Sequence, residues 1–128
     1  NKSGTLYSID SKFRPWESEL MIGSAIPDEL KTHWRFVNGS STKKLKDVLR
    51  SVGKIDIFLH DSMHTYKNMI FEFESAWPHI KNNGFLLSDD ILENNSFLEF
   101  YTRKNLKPIL LSLLDQKHLF GILKKSEF

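Results

Sequence analysis

The sequence contains no cysteine. Disulfides, thiolate metal sites and cysteine nucleophiles are therefore excluded. Glycine is scarce, six in 128 residues, and none stands in a G-x-G arrangement. A glycine-rich loop of the kind that lets a backbone approach a cofactor is thus absent. No apolar run approaches the roughly 18 residues that a membrane-spanning helix needs. No basic segment followed by an apolar one opens the chain, so no secretory signal is visible. Eighteen Lys and Arg against 16 Asp and Glu leave a net charge of only +2, too little to point to nucleic acid. A cytoplasmic protein with neither a nucleic-acid nor a membrane partner is the expectation. Residue 1 is Asn rather than Met, and a truncated domain is expected.

What is present is a globular profile: 40% hydrophobic residues and ten Phe. The length suits one α/β domain over residues 1–128, able to bury about two-thirds of its surface. Residues 5–10, Thr-Leu-Tyr-Ser-Ile-Asp, alternate apolar and polar as a strand does. A short helix is expected around Glu17–Ile22, and Pro27-Asp28-Glu29-Leu30 reads as the first turn of another. His33–Val37 is a second strand, closed by Asn38-Gly39-Ser40-Ser41. Leu45, Val48, Leu49 and Val52 recur at helical spacing until Gly53. Ile55–Leu59 is a buried strand ending at His60-Asp61. Tyr66, Met69, Ile70, Phe73, Trp77 and Ile80 form one apolar helical face, with Lys67, Glu72 and Glu74 opposite. Asn82-Asn83-Gly84 is expected to end that helix, and Phe85–Leu87 to form the next strand. A helix over roughly residues 94–104 follows, then strands at Pro108–Leu114 and His118–Lys124 joined by a turn at Asp115-Gln116-Lys117. This alternation implies an open, mostly parallel sheet with crossover helices and an antiparallel hairpin at one edge.

In such a sheet, ligands bind beyond the carboxyl ends of the strands. Asp10, Gly39-Ser40-Ser41, His60-Asp61 with His64, and Ser88-Asp89-Asp90 all fall there. A strand-end Asp also starts turns and caps helices, but four strands delivering polar groups to one rim points to a site. Asp61, Asp89 and Asp90 end adjacent strands. Their repulsion would be relieved by a hard cation such as Mg²⁺, which prefers oxygen ligands. His64, three residues beyond Asp61, is suited to take a proton or orient a ligand; the bland alternative is a helix-start His bonded to a carboxylate. Asp10 is placed to accept hydrogen bonds from a ribose diol. His33, His79 and His118 read as structural. Asn38-Gly39-Ser40 and Asn94-Asn95-Ser96 match glycosylation sequons, taken as chance without a sign of secretion.

Leu-Tyr-Ser-Ile-Asp (6–10), Ile-Asp-Ile-Phe-Leu-His-Asp-Ser-Met-His-Thr-Tyr (55–66) and Gly-Phe-Leu-Leu-Ser-Asp-Asp-Ile (84–91) resemble the class I S-adenosylmethionine-dependent methyltransferases. The similarity is to the branch of small O-methyltransferases and cephalosporin-hydroxylase-like proteins. It covers roughly residues 4–125, and Asp-x-x-His-Thr-Tyr is its most specific block. The resemblance implies a Rossmann-like sheet and S-adenosylmethionine as cofactor. It matches Asp10 to the acid that holds the ribose, Gly39, Ser40 and Ser41 to the loop beside the adenine, and puts His60 on the cofactor side. Asp61, Asp89 and Asp90 match Mg²⁺ ligands, the last often Asn in the family. His64 falls where catechol-type enzymes carry a general-base Lys. The implied partner is a small-molecule methyl acceptor, and a homodimer is the expected assembly.

The resemblance lacks one part. The family's first strand and glycine-rich loop precede the residues matched here, and that strand lies between those matched by 5–10 and 55–60. A gap of about 10 Å, two strand spacings, is expected there. Two functions follow: an S-adenosylmethionine-dependent O-methyltransferase, or a non-catalytic domain that keeps the fold and serves as an interaction module. A phosphoacceptor receiver domain is disfavoured. Its paired acids follow the first strand, whereas here the single Asp10 comes first.

Overall fold

The computed structural model describes residues 3–11, 22–112 and 118–126. They fall into two compact units, Asn1–Lys44 and Leu45–Phe128. The first holds two parallel strands, β1 (Leu6–Asp10) and β2 (Trp34–Asn38), paired from Leu6↔Trp34 to Asp10↔Asn38. Trp34 Nε1 donates to Ser8 Oγ across the pair at 3.0 Å. Between the strands lies α1 (Asp28–Lys31), opened by Pro27 with acids in its only turn, as expected where Pro fits and acids complement the helix dipole. The helix expected around Glu17–Ile22 lies almost wholly outside the described residues.

The unit boundary falls inside α2 (Ser41–Val52), which buries Leu45 and Leu49. Gly53 then leaves the helix with φ +82°, a conformation that glycine adopts without strain. The second unit continues with β3 (Ile55–His60), α3 (Tyr66–Ala76), β4 (Ile80–Ser88), α4 (Ser96–Arg103), β5 (Pro108–Ser112) and β6 (Leu119–Lys124). Its sheet runs β3-β4-β6-β5, with β3 parallel to β4 and the β5–β6 hairpin antiparallel. The expected open α/β arrangement with a closing hairpin is therefore present. The second strand of the hairpin, β6, sits inside against β4, and β5 takes the edge. Among the described residues the strands form two sheets, and β1 pairs with β2 alone.

Two expected boundaries move. α3 stops at Ala76, because Pro78 has no amide hydrogen to continue it; Trp77–His79 tighten into a 3-10 turn, and Ile80 already belongs to β4. Asn82-Asn83-Gly84 does not end a helix. It is a kink within β4, where the register with β3 jumps from Ile55↔Ile80 to Ile57↔Phe85. Asn83 adopts φ +64° there, which Asn tolerates better than most residues. A Cβ on Gly84 would stand 2.6 Å from the Asp56 carbonyl oxygen and 2.7 Å from Ile80 Cγ2. Glycine is what lets the two backbones approach. The turn expected at Asp115-Gln116-Lys117 lies outside the described residues.

The core of this unit gathers Met69, Phe73, Ile80, Leu86, Ile91, Phe97, Phe100 and Leu123. Phe73 is its centre, with the Phe97 and Phe100 rings at 6.0 and 5.4 Å. At the base, Lys125 donates to the carbonyls of Trp77 (2.9 Å) and Ile80 (2.8 Å) and lies over the Trp77 ring. Desolvation lowers its pKa, with Lys54 and Lys104 adding repulsion.

Replacement of Gly84 by Ala is expected to lower stability by about 1–3 kcal/mol, the usual cost of forcing a group into packed space. Urea denaturation of the variant beside the native chain measures it.

Candidate functional site

In the first unit, Asp10 ends β1 opposite Asn38 at the end of β2. Its backbone carbonyl accepts from Gly39 N at 2.8 Å, and its Oδ1 accepts from Ser11 N at 2.7 Å. The carboxylate is exposed. Gly39 has φ +141° and a Cβ there would meet the Lys44 side chain at 2.9 Å, so the chain turns sharply from β2 into α2. Ser40 Oγ and Thr42 Oγ1 are 3.1 Å apart, and the Ser40 carbonyl accepts the first helical amides, from Lys43 and Lys44. Ser41 opens α2. Asp10, Gly39, Ser40 and Ser41 thus stand together at the carboxyl ends of a parallel pair. An exposed carboxylate beside a tight loop there suits a ribose and its base.

In the second unit the rim is formed by the ends of β3 and β4, joined by Asp89 N donating to the His60 carbonyl at 3.0 Å. Asp90 has φ +46°. A left-handed Asp is uncommon and marks a constrained position. Asp89 Oδ1 holds it by accepting from Asp90 N at 2.9 Å. The Asp90 carboxylate then faces two imidazoles: His64 Nδ1 lies 3.4 Å from its Oδ2, and His118 Nδ1 3.0 Å from its Oδ1. His64 Nε2 is 3.9 Å from Asp61 Oδ1 and has no hydrogen-bond partner. Each oxygen of the Asp90 carboxylate thus has one imidazole nitrogen beside it.

Among the described residues no group of three or more His, Asp or Glu side chains is arranged to hold a metal ion. Asp61, Asp89 and Asp90 share the rim without forming such a group. Asp61 points to solvent, Asp89 turns to the backbone, and Asp90 faces the histidines. As they stand, these acids do not fit a divalent cation.

His60 is wholly buried, and its Nδ1 lies 2.6 Å from Glu72 Oε2. Its ring meets His64 and Phe73 edge-on, at 5.4 and 5.5 Å between centroids. Glu72 is a correction to the amphipathic reading of α3: it is buried, not on the solvent face. Glu74, on that face, pairs with Arg103 and Lys104. The spacing Asn68–Glu72, one helical turn, is the sequence signal that goes with this burial, because those two side chains stack. His118, read as structural, belongs to the rim. The β6 strand that follows it was legible, but the place of that strand next to β4 was not.

The sequence profile of the methyltransferase domain family matches residues 1–91, and the chain belongs to that family. Its fold is the Rossmann-like one of class I methyltransferases. An rRNA methylase from Streptococcus thermophilus superposes with a TM-score of 0.67 at 14% identity, over 96% of this chain and 74% of that one. An O-methyltransferase from Bacillus cereus, in complex with SAH, gives 0.60 at 10% identity, over 76% of this chain and 53% of that one. The MycE methyltransferase of the mycinamycin pathway, in complex with Mg, SAH and mycinamycin VI, gives 0.62 at 15% identity, over 96% and 36%. The chain thus spans about half the length of the second and about a third of the third. Comparison with curated proteins gives no significant match.

Tyr66, the last residue of the Asp-x-x-His-Thr-Tyr block, donates to Glu99 Oε2 at 2.7 Å. That hydrogen bond raises the phenol pKa above its ordinary value, with desolvation and the Glu99 charge adding to it and Arg103 opposing. A raised value keeps the phenol neutral to higher pH. In Glu99→Gln, Tyr66 is expected to ionise at lower pH than in the native chain, as read by ultraviolet difference titration.

Proposed function

We propose that this domain transfers a methyl group from S-adenosylmethionine to a hydroxyl of a small molecule, with His64 as the proton acceptor. The observation that carries the reading is the state of the His64 ring. Its Nδ1 faces the Asp90 carboxylate, while Nε2, shielded from solvent and 3.9 Å from Asp61 Oδ1, has no hydrogen-bond partner. A carboxylate beside Nδ1 favours the tautomer with hydrogen there and leaves the Nε2 lone pair to accept a proton. Membership of the methyltransferase domain family and the folds of the O-methyltransferase and MycE support the chemistry.

When bound, S-adenosylmethionine supplies a methyl group on a positively charged sulfur, which departs as a neutral thioether. In the first unit, Asp10 would accept hydrogen bonds from the ribose diol, and the Gly39-Ser40-Ser41 turn would run beside the base. In the second, His64 Nε2 would take the proton of an acceptor hydroxyl. Asp90 Oδ2 would steady the resulting imidazolium, while its other oxygen faces His118 Nδ1 at 3.0 Å. General-base help of this kind contributes about 10²–10⁴-fold.

Calorimetric titration of the chain with S-adenosylmethionine tests the reading. Saturable binding is expected. Replacement of Asp10 by Ala should weaken it roughly 10- to 100-fold, the loss of hydrogen bonds to a charged acceptor. Absence of binding at millimolar ligand would instead favour a non-catalytic, methyltransferase-like interaction module, the reading that the missing G-x-G supports.

A further inference from the structure

We propose that Glu72 is a positioning residue for His64, acting through the loop at residues 61–65; this rests on the assignment of His64 as proton acceptor. Glu72 lies on α3, is only 3% exposed, and does not itself reach the rim. Its Oε1 accepts from Ser62 Oγ at 2.6 Å and from Asn68 Nδ2 at 3.1 Å, while its Oε2 faces His60 Nδ1. Ser62 belongs to the loop that carries Asp61 and His64. Asn68 reaches that loop twice more, donating to Ser62 Oγ and to the Met63 carbonyl, each at 3.0 Å. From the other side, Asn94 Nδ2 donates to the His64 carbonyl at 3.0 Å.

Two routes therefore run from one buried carboxylate to the His64 imidazole. One passes through the backbone at Ser62 and Met63. The other passes through His60, whose ring meets the His64 ring edge-on. An apolar residue at position 72 would fill the same space but remove the carboxylate that faces His60, Ser62 and Asn68. Burying a carboxylate is costly unless it is fully hydrogen-bonded; here His60 at the end of β3, Ser62 in the loop and Asn68 on α3 converge on it, so the loop is pinned between two fixed elements. Proton transfer needs heavy-atom approach within about 2.6–3.2 Å. A loop free to shift by about an ångström would lose much of the rate.

Diethyl pyrocarbonate tests this, because it modifies unprotonated imidazole nitrogens according to access, and peptide mass spectrometry reads each histidine separately. In the full chain, shielded His64 Nε2 should react more slowly than His118, whose side chain is 53% exposed. Ser62→Ala alters only an exposed residue; Glu72→Gln keeps the shape of the side chain. In each, His64 is expected to react about fivefold faster, the order of one lost hydrogen bond. His79, held by the Gly53 carbonyl at 2.6 Å, serves as the control and should not change. If Glu72→Gln fails to fold, Ser62→Ala decides alone. No acceleration at His64, or equal acceleration at His64 and His79, overturns the proposal. Because the readout needs no methyl transfer, it is separable from the calorimetric test of S-adenosylmethionine binding.

Discussion

A carboxylate inside the second unit sets the terms for everything at its rim. Glu72 is a buried carboxyl on the helix that also carries the core residues Met69 and Phe73. Leaving a buried hydrogen-bonding group without its partner costs about 1–3 kcal/mol, which favours keeping His60, Ser62 and Asn68 in place. His60 is the last residue of β3, and its carbonyl takes the Asp89 amide. The ends of both parallel strands are thereby tied to α3 by one cluster. Asp90, held in a left-handed conformation directly after it, presents its carboxylate to His64 and His118.

The hydrophobic periodicity of α2, α3 and α4 was legible, as were the strands flanking them, because burial and chain period coincide there. The hairpin was legible too, but not the insertion of β6 next to β4, since pairing order is a long-range choice that no local pattern carries. The Asn82-Asn83-Gly84 stretch misled for a definable reason. Its residues signal a chain reversal, and the same conformational freedom serves a kink within a strand. The end of α3 was set by Pro78 rather than by those residues.

The candidate site divides in the same way. Asp10, Gly39, Asp61, His64, Asp89 and Asp90 could be named because strand ends point to a rim. Glu72 could not, because a charged residue on an amphipathic helix reads as solvent-facing until its acceptor role is seen. His118 lay too far along the chain for its proximity to Asp90 to be read. The reading of three acids as cation ligands stopped at a similar limit. Sequence spacing brings them to one rim, but which way each carboxylate turns is decided by neighbours such as the Asp90 amide and the two imidazoles.

The kink at Asn83-Gly84 has one more implication. Beyond it, β4 alternates its side chains in strict step with β3, from Ile57↔Phe85 to His60↔Ser88. A single residue gained or lost between the kink and Ser88 would exchange the two faces of the strand, turning Leu86 outward and Phe85 inward. Changes in pairs would keep the faces and slide the acids along the rim. The kink therefore acts as a fixed origin from which the chain counts out where Asp89 and Asp90 stand, and length variation in this segment is permitted only in even steps.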